Sequence, residues 1–200
     1  MYMGDVKSKT FLDTNASSAT FVAAAARPTS TFTLANSSFG TNTARKITAT
    51  TAGTGDNGKT VTIVGKDHNN EDATEVITLT GSAETSSGTT TAFLSITSAT
   101  VSAQPAANVS LGMTADVFGS VFQGRTRVRQ VNAESGGSIG SVLFRDGSLT
   151  GTALLTVRTG GTAGDINTVN IPQDGILYKD GAFVTFDETQ CNSATVYFDG

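Results

Sequence analysis

Apolar and polar residues alternate most regularly over residues 56–81, DNGKTVTIVGKDHNNEDATEVITLTG. Val61 and Ile63 interleave with Thr60, Thr62 and Val64, and Ile77 and Leu79 interleave with Val76, Thr78 and Thr80. A period of two in strand-forming residues, bounded by Asp-Asn-Gly and Asp-His-Asn-Asn, predicts two strands that each show one face to a core. Leu94, Ile96, Ala99, Val101, Val109 and Leu111 continue the pattern in shorter pieces. Together these positions predict strands near 45–51, 59–65, 74–80, 91–97, 98–102 and 107–112. Asn57-Gly58 reads as a hairpin turn, because glycine supplies the positive φ that tight hairpins demand. No helical period runs through this half.

Residues 112–124 (GMTADVFGSVFQG) read as a linker with room for a short helix, in which Val117, Phe118, Val121 and Phe122 can pack between two halves. A second unit starts at Arg125. Its apolar segments predict strands near 141–146, 152–157, 176–179, 182–186 and 194–198, with a flexible loop at 160–164. Asp146-Gly147, Asp174-Gly175 and Asp180-Gly181 have hairpin-grade turn chemistry. Short strands at this spacing point to antiparallel sandwiches rather than a parallel sheet. The expected fold is all-β: two antiparallel β-sandwich-like domains, at 41–115 and 116–200, preceded by an extended N-terminal arm at 1–40.

The arm is rich in Ser, Thr, Asn and Ala, and its Phe11, Phe21, Phe32 and Phe39 are spaced too irregularly for a helix or a paired strand. Arg27-Pro28 disfavours a helix through its middle, since the residue before proline is pushed to extended backbone. It reads either as an unstructured leader or as an arm whose phenylalanines dock on a neighbouring subunit. Each ring is worth roughly 1.5–3 kcal/mol when fully buried. Ordering the backbone costs about 1–2 kcal/mol per residue, so hydrogen bonds to a partner's strand edge are expected as well. On that reading, removing residues 1–39 leaves both domains folded and weakens assembly.

Charge narrows the function classes. The 13 Lys and Arg against 17 Asp and Glu leave a net charge of −4. Mild acidity argues against a nucleic-acid partner, which needs a clustered basic surface. Cys191 is the sole cysteine, so no internal disulfide exists. The apolar run at 21–26 is far shorter than the ~18 residues of a membrane helix. The N-terminus lacks the basic-then-apolar order of a secretory signal, so no membrane partner is expected.

Candidate chemistry is sparse. Gly53, Gly55 and Gly58 match G-x-G-x-x-G, but a strand pattern follows where a dinucleotide site needs a helix. The run 67–72 (DHNNED) starts like a calcium loop, yet Asp72 stands where glycine is wanted and Thr78 where a bidentate glutamate is required. His68, the only histidine, has no assignable serine partner. Cys191 reads as a small buried hydrophobe. Carboxylates are plentiful, but Trp is absent and sugar-cleaving sites commonly offer aromatic platforms. Arg125, Arg127 and Arg129 form a same-face row if their segment is a strand. That row reads either as a solvated edge that resists edge-to-edge pairing or as a contact with an acidic patch on another subunit. No catalytic, cofactor-binding or metal residue is assigned, and no enzyme is expected. Phe11, Phe21, Phe32, Phe39, Arg125, Arg127 and Arg129 are the candidate partner contacts.

Several segments of the first unit resemble a module of tailed-bacteriophage structural proteins. They are 56–58 (DNG), 62–67 (TIVGKD), 74–78 (TEVIT), 93–100 (FLSITSAT) and 107–112 (ANVSLG). In the second unit, 144–147 (FRDG) and 171–178 (IPQDGILY) are similar to a pair found in small phage virion domains. The resemblance implies a virion component assembled in the host cytoplasm. With the low charge and the arm, it leads to a capsid decoration or cement protein. Its expected partners are the major capsid protein or other virion subunits, with copies of itself in a homo-oligomer. The alternatives are a tail, neck or fibre protein, and a host-surface or carbohydrate-binding module. Replacing Gly58 by Val is expected to destabilise the first unit by about 1–2 kcal/mol, because a β-branched residue resists positive φ; urea unfolding measures it.

Overall fold

The computed structural model describes residues 5–51, 53–80, 85–86, 88–172 and 174–200. Its strands are β1 (Val6–Leu12), β2 (Ala23–Ala26), β3 (Ala44–Thr51), β4 (Thr60–Asp67) and β5 (Asp72–Thr78). β6 (Thr85–Ser86), β7 (Ala92–Val101), β8 (Val109–Phe122), β9 (Thr126–Ser135) and β10 (Gly140–Asp146) follow. β11 (Ala153–Thr159), β12 (Ile166–Asn170), β13 (Ile176–Tyr178), β14 (Ala182–Asp187) and β15 (Cys191–Asp199) complete the set. One 3-10 turn, Thr54–Asp56, is the only helical element among the described residues. The chain is all-β, with antiparallel sheets, as the alternation predicts.

The chain forms two compact units, and each is discontinuous in sequence. A central unit takes residues 16–39 and 44–115, and a terminal unit takes 1–15, 40–43 and 116–200. In the central unit the N-terminal part of β8 is followed in order by β3, β7, β4 and β5, with β2 on β8 and β6 on β3. Alternation fixes the inner face: Ile47, Ala49, Val61, Ile63 and Ile77 are buried. In the terminal unit one sheet runs β1-β15-β9-β12, with β13 also on β9. The other runs β11-β10-β14 and the C-terminal part of β8. Val128, Val131 and Val196 from the first and Val117, Val142, Phe144 and Val184 from the second share one core.

Several sequence expectations change. Residues 112–124 hold no linker or helix: β8 continues to Phe122. Val117, Phe118, Gly119, Ser120 and Val121 are buried in succession, which erases the period of two. The predicted strands at 91–97 and 98–102 are one strand, with a bulge where the break was expected. Val64 pairs with Ser98 while Gly65 pairs with Ile96, leaving Thr97 as the extra residue. Asn57-Gly58 is not a hairpin turn, since β7 lies between β3 and β4. Asn57 (φ −56°, ψ 126°) and Gly58 (φ 82°) form a type II turn closed by Lys59 N donating to Asp56 O at 3.1 Å. β12 was not anticipated at all.

The arm is the largest correction. Phe11 sits in β1, paired with Ala194 of β15, and is fully buried in the terminal core. A Cβ on Gly119 would lie 2.3 Å from the Phe11 ring, so only glycine admits it. Val22, Ala23, Phe32 and Phe39 are buried in the central core, and Phe21 packs against it with its ring 5.9 Å from that of Phe39. The backbone partners are also within the chain. Val22 N donates to Leu111 O (2.9 Å), Phe32 N to Ala99 O (2.9 Å), Ile96 N to Ser37 O (2.8 Å) and Val101 N to Ser30 O (2.7 Å). The entropy of ordering the segment is therefore offset inside one chain, by apolar burial and by pairing of backbone groups that would otherwise be orphaned.

Truncation at residue 39 is accordingly expected to abolish cooperative folding of both units rather than leave them intact. Circular dichroism and thermal melting check this, with Phe11→Ala as the milder variant, costing roughly 3–5 kcal/mol.

Candidate functional site

Phe11, Phe32 and Phe39 are enclosed in the protein's own cores and Phe21 is partly enclosed, so these rings are not a surface for a partner. The arginines remain. β9 alternates buried Thr126, Val128 and Val131 with half-buried Arg127 and Arg129, which places the two guanidinium groups on the outer face of the sheet. Arg125 lies just before the strand and is exposed. β9 has partners on both sides, so the reading of this row as a strand edge does not hold.

Each arginine is placed differently. Asp199 of β15 pairs in register with Arg127, which brings its carboxylate diagonally next to Arg129. Arg129 Nε donates to Asp199 Oδ2 at 2.9 Å and Nη2 to the same oxygen at 2.5 Å. That hydrogen bond, opposed by slight desolvation, pushes the guanidinium further above its ordinary value. Arg127 Nη1 makes one long bond, 3.3 Å, to the Asp174 carbonyl. No carboxylate pairs with Arg127 or Arg125 among the described residues. Arg125, Thr126, Arg127, Leu177, Asp199 and Gly200 line a shallow cleft of about 330 Å³. Thr126 Oγ1 closes its floor by donating to the Asp199 carbonyl. The cleft offers guanidinium donors over a small apolar floor, which suits recognition of carboxylates by charge-assisted hydrogen bonds.

The other candidates take structural roles. Cys191 lies in the terminal core with Sγ against the Ser193 carbonyl at 3.1 Å, and burial pushes its thiol up to about 12, so it is protonated at neutral pH. Asp67 Oδ1 accepts the amides of Asn69 (2.8 Å) and Glu71 (3.0 Å), so this carboxylate shapes the β4–β5 turn. His68 is pushed below its ordinary value, chiefly by burial. Gly53 and Gly55 bring their loop against Ala107 and Ala106, and the strand β4 follows them.

Asp56 is the residue whose role sequence reasoning missed, since Asp before Asn-Gly looks like turn chemistry alone. Its side chain is fully buried. It accepts Lys59 Nζ at 2.9 Å, Thr51 Oγ1 at 3.0 Å, and the amides of Ala106 at 2.5 Å and Ala107 at 3.2 Å. Burial alone would push the carboxyl up, but these four donors outweigh it and hold it at about 2.

No protein-family model matches the sequence, and no curated protein and no solved structure matches it significantly. The arginine cleft therefore has to be interpreted from its own chemistry.

Because the folded-state pKa of Asp56 lies below the usual value near 3.9, its contribution is complete above about pH 4 and is lost as pH falls through about 2. Asp56→Asn is expected to cost about 2 kcal/mol at pH 7, and the gap from the parent chain should close on acidification. Urea unfolding between neutral and strongly acidic pH measures both.

Proposed function

We propose that this chain is a structural subunit of a tailed-phage virion, acting as a capsid decoration or cement protein that clips onto the major capsid lattice. The carrying observation is the arginine cleft. In a chain of net charge −4, Arg125 and Arg127 stand together on an outer surface with no carboxylate paired to either among the described residues. An acidic patch on a neighbouring subunit complements that surface. The virion setting comes from the motifs at 56–112 and 144–178, turn and packing signatures that resemble those of phage structural proteins.

Mechanically, such a subunit needs a rigid body and a contact that forms only on the assembled lattice. Two cores, each closed by part of the N-terminal segment, give two compact units. A small charged contact is weak singly, at about 0–1 kcal/mol for an exposed pair. Copies linked to one another over a symmetric shell would hold through multiplicity.

The test is occupancy on virions in a complementation assay. The parent chain is expected in many copies over the whole shell, and Arg125→Glu with Arg127→Glu should lower occupancy at least about tenfold with unchanged melting. Raised salt should weaken binding of the parent chain, because exposed pairs are screened. A few copies at one ring would favour a neck or tail subunit, and full occupancy by the double variant would overturn the cleft as the contact.

A further inference from the structure

The main strand paths end on four strands, β1, β12 and β11 in the terminal unit and β5 in the central unit, with the short β2, β6 and β13 as side branches. An edge strand presents unpaired backbone groups, and charge on the edge is a common way to prevent pairing with another chain. Three of the four are guarded. β1 carries Lys7 and Lys9, and Lys9 turns inward to donate its ammonium to the Ser120 carbonyl at 2.7 Å. β11 carries exposed Arg158 and a register break against β10. β5 carries Asp72 and Glu75, and Glu75 holds the amides of Thr90 (2.5 Å) and Thr91 (2.8 Å).

β12 has none of these devices. Its sequence is INTVN, with no charge, no proline and no glycine, and it pairs with β9 in unbroken register from Ile166 to Asn170. Four of its five residues are exposed, and Ile166 keeps 70% of its surface in solvent. The direction of its backbone groups follows from its ends. Ser135 N donates to Asp165 O (2.8 Å) and Ile171 N to Arg129 O (3.0 Å). Positions 165, 167, 169 and 171 therefore turn their amides and carbonyls toward β9. By strand alternation, Ile166, Thr168 and Asn170 turn theirs away from the sheet.

We infer that β12 is a homotypic interface, at which a second copy of this chain adds its own β12 antiparallel about a two-fold axis at Thr168. The strand is self-complementary in that arrangement. Thr168 faces Thr168 of the second copy, Ile166 faces Asn170, and the three outward residues of each copy supply about six hydrogen bonds. Thr–Thr cross-strand pairs are favourable and no like charges meet. The contact is isologous, so it closes at two copies and does not propagate a fibre. A five-residue ladder is small, so the dimer is weak and concentration-dependent. This inference stands on the edge geometry alone and is independent of where the chain sits on a particle.

Sedimentation velocity of the full chain over a concentration series should show monomer passing to dimer. Thr168→Pro removes an outward amide and no bond to β9, a position where an edge strand tolerates proline. Thr168→Lys places like charges face to face across the axis. Each should weaken dimerisation by roughly tenfold or more, with thermal melting unchanged for Thr168→Lys. Register is read by cysteine crosslinking, since the one native thiol, Cys191, is buried. Thr168→Cys should link two copies under mild oxidation, and Ile166→Cys should not, because that position faces Asn170. A chain that stays monomeric throughout would overturn the proposal. So would a dimer that survives Thr168→Lys with its fold intact, or Ile166→Cys linking as readily as Thr168→Cys.

Discussion

Each core of this protein closes only when part of the first 43 residues is laid into it. Phe11 fills the terminal core beside Gly119, while Val22, Ala23, Phe32 and Phe39 fill the central one. No disulfide exists, so each unit is held together by its apolar core and its strand pairing. Both units are consequently discontinuous, and contacts join positions far apart in the chain, such as Phe11 with Ala194. Non-local pairing of this kind makes folding slow, because loop-closure entropy is spent before the contacts form. β8 adds a second dependence: Val109, Leu111 and Met113 serve the central core, and Val117 and Val121 serve the terminal one.

Buried charge in the central unit is handled by backbone rather than by ion pairs alone. Arg45 is fully buried, and its Nη1 donates to the carbonyls of Thr114 (2.7 Å) and Ala115 (2.6 Å). Asp56 gathers two amides, a hydroxyl and an ammonium, joining the 53–58 loop to the 104–107 loop. Glu75 does the same for residues 90 and 91; although burial raises its carboxyl, the Thr90 and Thr91 amides outweigh that and hold it below the usual value. Arg45 and Asp56 are tolerated inside because each is hydrogen-bonded, and removing their partners would leave a costly buried charge, whereas Glu75 is only half-buried. They staple loops that have too few apolar residues to pack by themselves.

The surface divides into guarded and unguarded parts. Thr, Ser and Asn take a large share of the outward positions on the strands and solvate well. Against that background, the arginine cleft and the charge-free β12 edge are two places where a contact has specific chemistry. As proposed above, one would take carboxylates and the other a strand, two chemistries that do not compete.

The sequence by itself determined which residues are strands where one face is buried: alternation over 60–67 and 72–78 reads directly as β4 and β5. It also marked glycines 58, 147, 175 and 181, all at positive φ, because turn conformation is a local property of a few residues. It did not determine partners. A backbone amide accepts any strand at the right spacing, and only the total burial of side chains decides which one wins. Thus Gly58 sits in its turn, yet β3 goes to β7 rather than to β4. The leader's phenylalanines signalled burial without saying where, and the structure puts them at home rather than on a neighbour. Arg129 was legible as part of a row, but its pairing with Asp199, 70 residues away, exists only because β15 lies beside β9. That β12 ends a sheet unguarded is a fact of topology, decided by which strands exhausted their partners first.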